Sequence, residues 1–382
     1  MKKLKKLGKI MLIGIVSALA LIGVGGFLFI KMSPQFGGKP SPEQVTRYVQ
    51  SGHYEKEKGV FVNLIPTAMD MDFGTVMSLL RDYWNGIPNK KPKGPLPVEK
   101  IDSLEIVQKT DTLTRLTWFG HSAFLLEMQG KNILLDPMLG DSPAPHPTFG
   151  TSRFTKELPI AIEQLPYIDF VLFSHDHYDH LDYGSIQKLK DKVGHFYTPL
   201  GVGNHLIAWG VAPEKVTELN WWDEVQVEGF TLACTPSRHF SGRGLTDRNS
   251  TLWSSWVILT EKERIYFSGD SGYGPHFKTI GEKYGPFDLA MMECGQYDTR
   301  WQNIHMMPEE TVQAAQDVQA KLMMPIHWGA FTLSLHSWTD PVERAIPLAK
   351  SRGLATATPK IGEALLLNHR IPNTPWWESV KP

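Results

Sequence analysis

Hydrophobic and polar positions along the chain fall into three regimes. In the first, Ile10 to Ile30 run for 21 residues without a charge, behind the basic flank MKKLKKLGK. At about 1.5 Å per residue, such a helix reaches across a hydrocarbon layer of about 30 Å. The run is longer than the roughly 7–15 apolar residues of a usual secretory signal. It predicts an uncleaved N-terminal transmembrane helix over residues 1–30, with the lysines in the cytoplasm and the remainder outside it. The alternative is a signal cleaved near Ala18-Leu19-Ala20, which leaves a secreted or periplasmic protein. Residues 31–44, KMSPQFGGKPSPEQ, are rich in Pro and Gly and read as a linker. Residues 45–110 form the second regime, an extension of mixed character placed on or near the main domain. Within it Phe73, Val76, Met77, Leu80 and Trp84 recur at helical spacing. They predict an amphipathic helix with its apolar stripe on the core, a lipid-touching helix being the alternative.

The third regime, residues 111–382, changes texture. LTRLTWFGHSAFLLEM and NILLDPML read as strands around the turn Gln129-Gly130-Lys131. IDFVLFS is a short apolar run suited to a buried strand, and LDYGSIQKLKDK reads as the helix after it. GHFYTPLG, KVTELNW, EVQVEGFTLACTPS, STLWSSWVILT, RIYFSGD and LMMPIHWG add strands. PEETVQAAQDVQA is a helix with Pro308 at its start and Glu309 and Glu310 in its first turn. Strands, helix, strands, helix predict one α/β domain of two sheets with helices outside them.

Composition narrows the chemistry. The chain has 382 residues, 42% hydrophobic and 21% charged, which suits a protein with a substantial core. Its formal net charge is -1, with no long basic run outside the N-terminus, and this argues against nucleic acid as a partner. Cys234 and Cys294 are the two cysteines and form no C-x-x-C pair, which argues against a disulfide scaffold and a cysteine-built zinc site. Trp221-Trp222 and Trp376-Trp377 read as packing aromatics.

The dense chemistry lies in HDHYDH, residues 175–180, directly after the apolar run Phe170 to Phe173. His175, His177, Asp179 and His180 therefore sit on a strand-end loop, where side chains can converge on one point. Imidazole and carboxylate suit zinc and similar divalent ions. Asp176 and Asp182 flank this set as supporting or capping groups, Asp182 being suited to cap the following helix. Three more apolar strands end in ligand types: TLACTPSRHF at His239, RIYFSGDSGY at Asp270 and LMMPIHWG at His327. The same layout thus occurs four times.

That pattern resembles the ligand set of the metallo-β-lactamase superfamily. WFGHSAFLLEM, ILLDP, LPYIDFVLFSHDHYDHLDY, ELNWWDE, TPSRHFSGRG, FSGDSGY, HMMPEE and IHWGAF resemble, more closely, its N-acyl-phosphatidylethanolamine-hydrolysing phospholipase D branch. The resemblance implies an αββα sandwich with two divalent metal ions, zinc in the first instance. His175, His177 and His239 would hold one ion, Asp179, His180 and His327 the other, with Asp270 bridging them. Asp136 and His121 would orient ligands from behind, while His305 and Tyr178 would touch substrate. The implied catalytic residues are Asp270, Asp179 and His305. Arg238 and Arg243 are candidates to receive phosphate. The implied activity is phospholipase D-like hydrolysis of a phospholipid at a membrane surface, releasing an N-acylethanolamine and phosphatidic acid. Two other readings are kept: a hydrolase of another phosphoester or a lactone, and a non-catalytic envelope lipid-binding protein. Oligomeric state is open, a homodimer included.

Overall fold

The structure is a computed structural model and describes residues 2–69, 72–107 and 113–381. The boundary expected between residues 110 and 111 falls outside the described residues. One seven-stranded sheet runs, in spatial order, Ala364–Leu366, Arg115–Trp118, Phe124–Met128, Lys131–Leu135, Ile168–Leu172, Val193–Pro199 and Val216–Leu219. The other runs Ala355–Thr356, Leu322–Ile326, Leu289–Glu293, Arg264–Phe267, Ser255–Leu259, Phe230–Thr235 and Glu224–Val227. Each sheet is antiparallel in one half and parallel in the other.

Period-two alternation assigns each strand residue to a layer. Phe124 and Leu126, Phe170 and Leu172, and Ile265 and Phe267 point into the core between the sheets. Leu125 and Val171 face outward, onto the helices Tyr183–Leu189 and Gly203–Ala208. Tyr266, Ala290 and Met292 face the helices His276–Tyr284, Pro308–Asp317 and Asp340–Ser351. The result is the αββα sandwich the sequence predicts. Several of its elements escaped the pattern, among them the helix Gly203–Ala208, the short edge strands Ala355–Thr356 and Ala364–Leu366, and three more. Leu289–Glu293, LAMME, has no β-branched residue. His276–Tyr284 lacks a side-chain N-cap, and Asp340–Ser351 carries Pro347 in its interior.

Around this body the N-terminal third differs from expectation in two ways. Lys2–Met32 is one continuous helix, long and apolar enough to cross a membrane and unburied by the rest of the chain. The stretch after it is docked instead of free. Pro34 carbonyl accepts from Trp209 Nε1 at 2.6 Å, Gln35 carbonyl from Arg243 Nε at 2.8 Å, and the Gly38 N–H donates to His205 Nδ1 at 3.1 Å. Proline and glycine bring the backbone close enough for these bonds; a Cβ on Gly38 would lie 2.3 Å from the Asn204 carbonyl. The second difference is the helix Phe73–Asn85, which forms behind its Asp72 cap but turns its apolar stripe to the outside. Tyr48, Phe61 and Leu96 of the extension join the core between the sheets.

Trp376 and Trp377 are buried packing residues. Trp376 stacks on Trp328 at 5.6 Å between ring centres and donates its Nε1 hydrogen to the Pro359 carbonyl. Because Trp328 follows His327, this cluster backs the site. Trp376→Ala should lower unfolding stability by about 3–5 kcal/mol, read as a lower urea midpoint.

Candidate metal centre

All the candidate ligands stand at the C-terminal ends of strands, along one edge of the sandwich. Local backbone geometry puts them there. His121, Asp136, Gln296 and His327 have φ of 58°, 39°, 60° and 67°, a region that non-glycine residues seldom adopt. Such conformations cost about 1–3 kcal/mol each and persist where the surroundings over-determine them. Gly269, before Asp270, has φ 56°, and a Cβ there would sit 2.6 Å from Ser174 Cβ. Only glycine allows that approach, and it delivers the Asp270 carboxylate between the two sheets.

Four overlapping ligand groups result among the described residues, each with its donor atoms within 4.8 Å of one another. The two four-membered ones are His175, His177, His239 and Asp270, and His121, Asp179, His180 and His327; Asp136 with His175 and His180, and Asp270 with His305 and His327, are the others. Asp270 reaches both four-membered groups. Its Oδ2 lies 3.8 Å from His175 Nε2, 3.8 Å from His239 Nε2 and 3.1 Å from His180 Nε2, and its Oδ1 lies 3.0 Å from His327 Nδ1. All seven residues expected as ligands are thus brought together.

Their outward nitrogens are held from behind. His180 Nδ1 meets Asp136 Oδ2 at 2.7 Å, His239 Nδ1 meets the Ile304 carbonyl at 2.9 Å, and His175 Nδ1 meets Ser174 Oγ at 2.9 Å. Such partners fix the ring and leave the other nitrogen for a metal. Asp136 also accepts from the Ser174 N–H at 2.7 Å, so one carboxylate steadies two positions. His121 Nε2 meets Asp179 Oδ2 at 2.8 Å. Asp136 and His121 each lie against an expected ligand, His180 and Asp179 respectively, and each also falls within a group of possible metal ligands.

The donor set fits divalent ions. His180 Nε2, His327 Nε2 and Asp270 Oδ1 are among the buried polar atoms without a hydrogen-bond partner in the described residues, and these three converge on one point. Burial pulls the His175 and His239 imidazoles well below their ordinary value. Burial works against charge on Asp270, but His180 and His327 outweigh it and hold its carboxyl well below the usual range. Neutral imidazoles beside ionised carboxylates are the protonation states a metal requires. His180 is the exception: burial lowers it, yet Asp270, Asp179 and Asp136 together hold it well above its ordinary value. Three carboxylates around one ring call for positive charge there.

The site opens into a cavity of about 300 Å³ lined by His177, Asp179, Asp270 and His305, with Met69, Phe240, Gln296, Trp301, Ile304 and Leu333 as its walls. A larger cavity of about 530 Å³ lies between Gly140 and the 156–164 loop, but none of the candidate ligands lines it.

His305 lines the cavity, as expected of a substrate contact. Tyr178 does not: its hydroxyl donates to the Arg243 carbonyl at 2.8 Å and its ring lies 4.0 Å under the Arg243 guanidinium. The two arginines expected to receive phosphate are committed elsewhere. Arg238 donates to Thr67 Oγ1 and to the Pro66 and Tyr273 carbonyls. Arg243 is buried against the Asp176, Leu181 and Gln35 carbonyls. Asp176 accepts from the Gly242 N–H and Thr251 Oγ1, and Asp182 caps the helix Tyr183–Leu189 through the Ser185 N–H.

Sequence reasoning missed Glu293. It is fully buried, meets His305 Nδ1 at 3.1 Å and accepts from the Met306 N–H at 2.9 Å. Its signal was present, since LAMME is a fifth apolar run that ends in a ligand type. Gln296 was also missed; it bonds the His327 and Phe331 carbonyls and the Leu333 N–H.

The Beta-lactamase superfamily domain profile matches residues 131–328, which is just over half of the chain. The chain belongs to the metallo-β-lactamase superfamily. An uncharacterized protein of Mycobacterium tuberculosis is 38% identical over 333 residues, 86% of this chain and 88% of that one. N-acyl-phosphatidylethanolamine-hydrolyzing phospholipase D 1 of Caenorhabditis elegans is 34% identical over 270 residues, 67% of this chain and 75% of that enzyme. Among solved structures, the metallo hydrolase Igni18 of Ignicoccus hospitalis superposes with a TM-score of 0.53 at 23% identity, over 68% of this chain and all of that one. The last likeness shows the fold alone. Together they make this superfamily member a metal-dependent hydrolase.

Asp136→Asn keeps the shape of the side chain and removes its charge. It should weaken metal binding about 10–100-fold, measured by competition with a chromophoric chelator, while the circular dichroism spectrum stays unchanged.

Proposed function

We propose that the protein hydrolyses the phosphodiester bond of N-acyl-phosphatidylethanolamine, releasing an N-acylethanolamine and phosphatidic acid, with two zinc ions as cofactors. The observation that carries this reading is the pair of four-membered ligand groups sharing Asp270 at the floor of one cavity, in a chain similar to a phospholipase of that specificity. His175, His177 and His239 would hold one ion, Asp179, His180 and His327 the other, and Asp270 would serve both. Bound divalent ions supply hydroxide at neutral pH and neutralise charge on a phosphoryl oxygen.

The chain's own residues do the rest. His305 stands on the cavity wall with its Nδ1 against Glu293, whose carboxyl burial holds well above its ordinary value; the protonated carboxyl donates to Nδ1 and leaves Nε2–H to donate to a phosphodiester oxygen. Burial lowers the His305 pKa, so the ring is neutral at working pH. Arg248 lies 4.0 Å over the Phe240 ring at the cavity rim and meets Met69 Sδ, in a position to attract the anionic headgroup in place of Arg238 and Arg243. A cavity of about 300 Å³ takes a headgroup and leaves the acyl chains outside. The helix Lys2–Met32 would hold the catalytic domain beside its bilayer, on the side away from the lysines.

The test is phosphatidic acid release from N-acyl-phosphatidylethanolamine vesicles, alongside zinc content per chain. Two zinc ions and product are expected, with activity lost to a chelator and restored by zinc. Asp270→Asn should abolish turnover and lower the metal content. Metal without product would turn the assignment towards other phosphoesters or lactones, and near wild-type turnover of Asp270→Asn would sink the two-metal mechanism.

A further inference from the structure

The helix Phe73–Asn85 is built inside out. At 100° per residue, Phe73, Met77, Leu80 and Trp84 fall on one face and Thr75, Ser78 and Asp82 on the other. In a water-soluble domain the apolar face packs inward. Here Arg300 bonds Ser78 Oγ at 3.1 Å and Asp82 Oδ2 at 2.8 Å, so the polar face is the docked one. Phe73 is 81% exposed, Leu80 57% and Trp84 89%. The helix has no buried residue at all.

The geometry points to a lipid surface as the occupant of this face: the helix lies in the headgroup layer of a bilayer and holds the mouth of the metal cavity against it. Four observations carry this. The same chain has a helix able to cross a membrane, and its exit segment is docked on the catalytic domain. The inverted helix is tied to the cavity mouth, because Arg300 precedes Trp301 and Met69 lies just before the helix, and both Trp301 and Met69 line the cavity. Exposed Lys91 and Lys93 follow the helix and suit anionic headgroups. Trp84 and Tyr83 are the side chains that favour the membrane interface. A second copy of the chain fits less well. A 13-residue helix is about 20 Å long and about 10 Å wide, which offers a few hundred Å², short of the roughly 800 Å² per partner of a stable interface.

The inference rests on the lipid reading only for what enters the cavity, and its experiment separates the two. Trp84→Cys in the full chain takes an environment-sensitive fluorophore selectively, since Cys234 and Cys294 are buried. In vesicles of phosphatidylcholine and phosphatidylglycerol, the label should emit at shorter wavelength and be quenched by a nitroxide high on the acyl chain. A water-like, unquenched label overturns the inference. So does a shift that grows with protein density and ignores the nitroxide, which would mark a second copy on this face. Replacing Phe73, Met77 and Leu80 together by serine should slow turnover of vesicle-held substrate about tenfold or more and leave a short-chain soluble substrate unaffected. Equal rates on vesicles, or equal loss on both substrates, also overturn it. If the wild-type chain turns over neither substrate, the phospholipase reading fails while the fluorescence still decides the placement of the helix.

Discussion

Burying carboxylates is the constraint on which the rest of the structure depends. Asp136, Asp179 and Asp270 are withdrawn from water at the edge of a β-sandwich, where unpaired charge is costly. Each is answered by imidazole, and Asp136 also by the backbone and hydroxyl of Ser174. The rings in turn need fixed orientations, which come from Ile304, Ser174 and Asp136 behind them. Loops that follow buried strands can hold such a shell rigidly. The left-handed conformations of His121, Asp136 and His327 are tolerated because bonded neighbours on both sides leave them no alternative.

Much of this was legible in the sequence, for a physical reason. A buried strand that ends in a ligand type announces both the sheet and the site, and His175, His239, Asp270 and His327 each show that signature. The two-sheet architecture follows from runs such as IDFVL and RIYF, whose alternate residues face different layers. Glu293 shares the signature but was hidden by a methionine-rich strand with weak propensity. What the chain pattern could not show was commitment. Arg238, Arg243 and Tyr178 lie near the ligands in sequence and carry suitable groups. Only the folded structure shows that other atoms of the protein already occupy them. Arg248, a few residues on, carries no such signal in the sequence and lies over the Phe240 ring at the rim.

The stripe Phe73, Val76, Met77, Leu80 and Trp84 teaches the complementary lesson. Helical period was read correctly, yet period says nothing about which side the protein occupies. The polar side chains of Ser78 and Asp82 settle that through Arg300. An apolar stripe in a chain that also carries a membrane-length helix is ambiguous until its opposite face is examined.

The bonds that Pro34, Gln35 and Gly38 make to Trp209, Arg243 and His205 have a mechanical consequence. A free fourteen-residue leash would let the catalytic body wander around its own stem and graze a disc of lipid. Pinned within a few residues of the helix end, it has no such reach. Under the proposed anchoring, each molecule would sample only the lipids that drift past a fixed mouth, so encounter would be set by lateral diffusion in the bilayer and not by the swing of a tether.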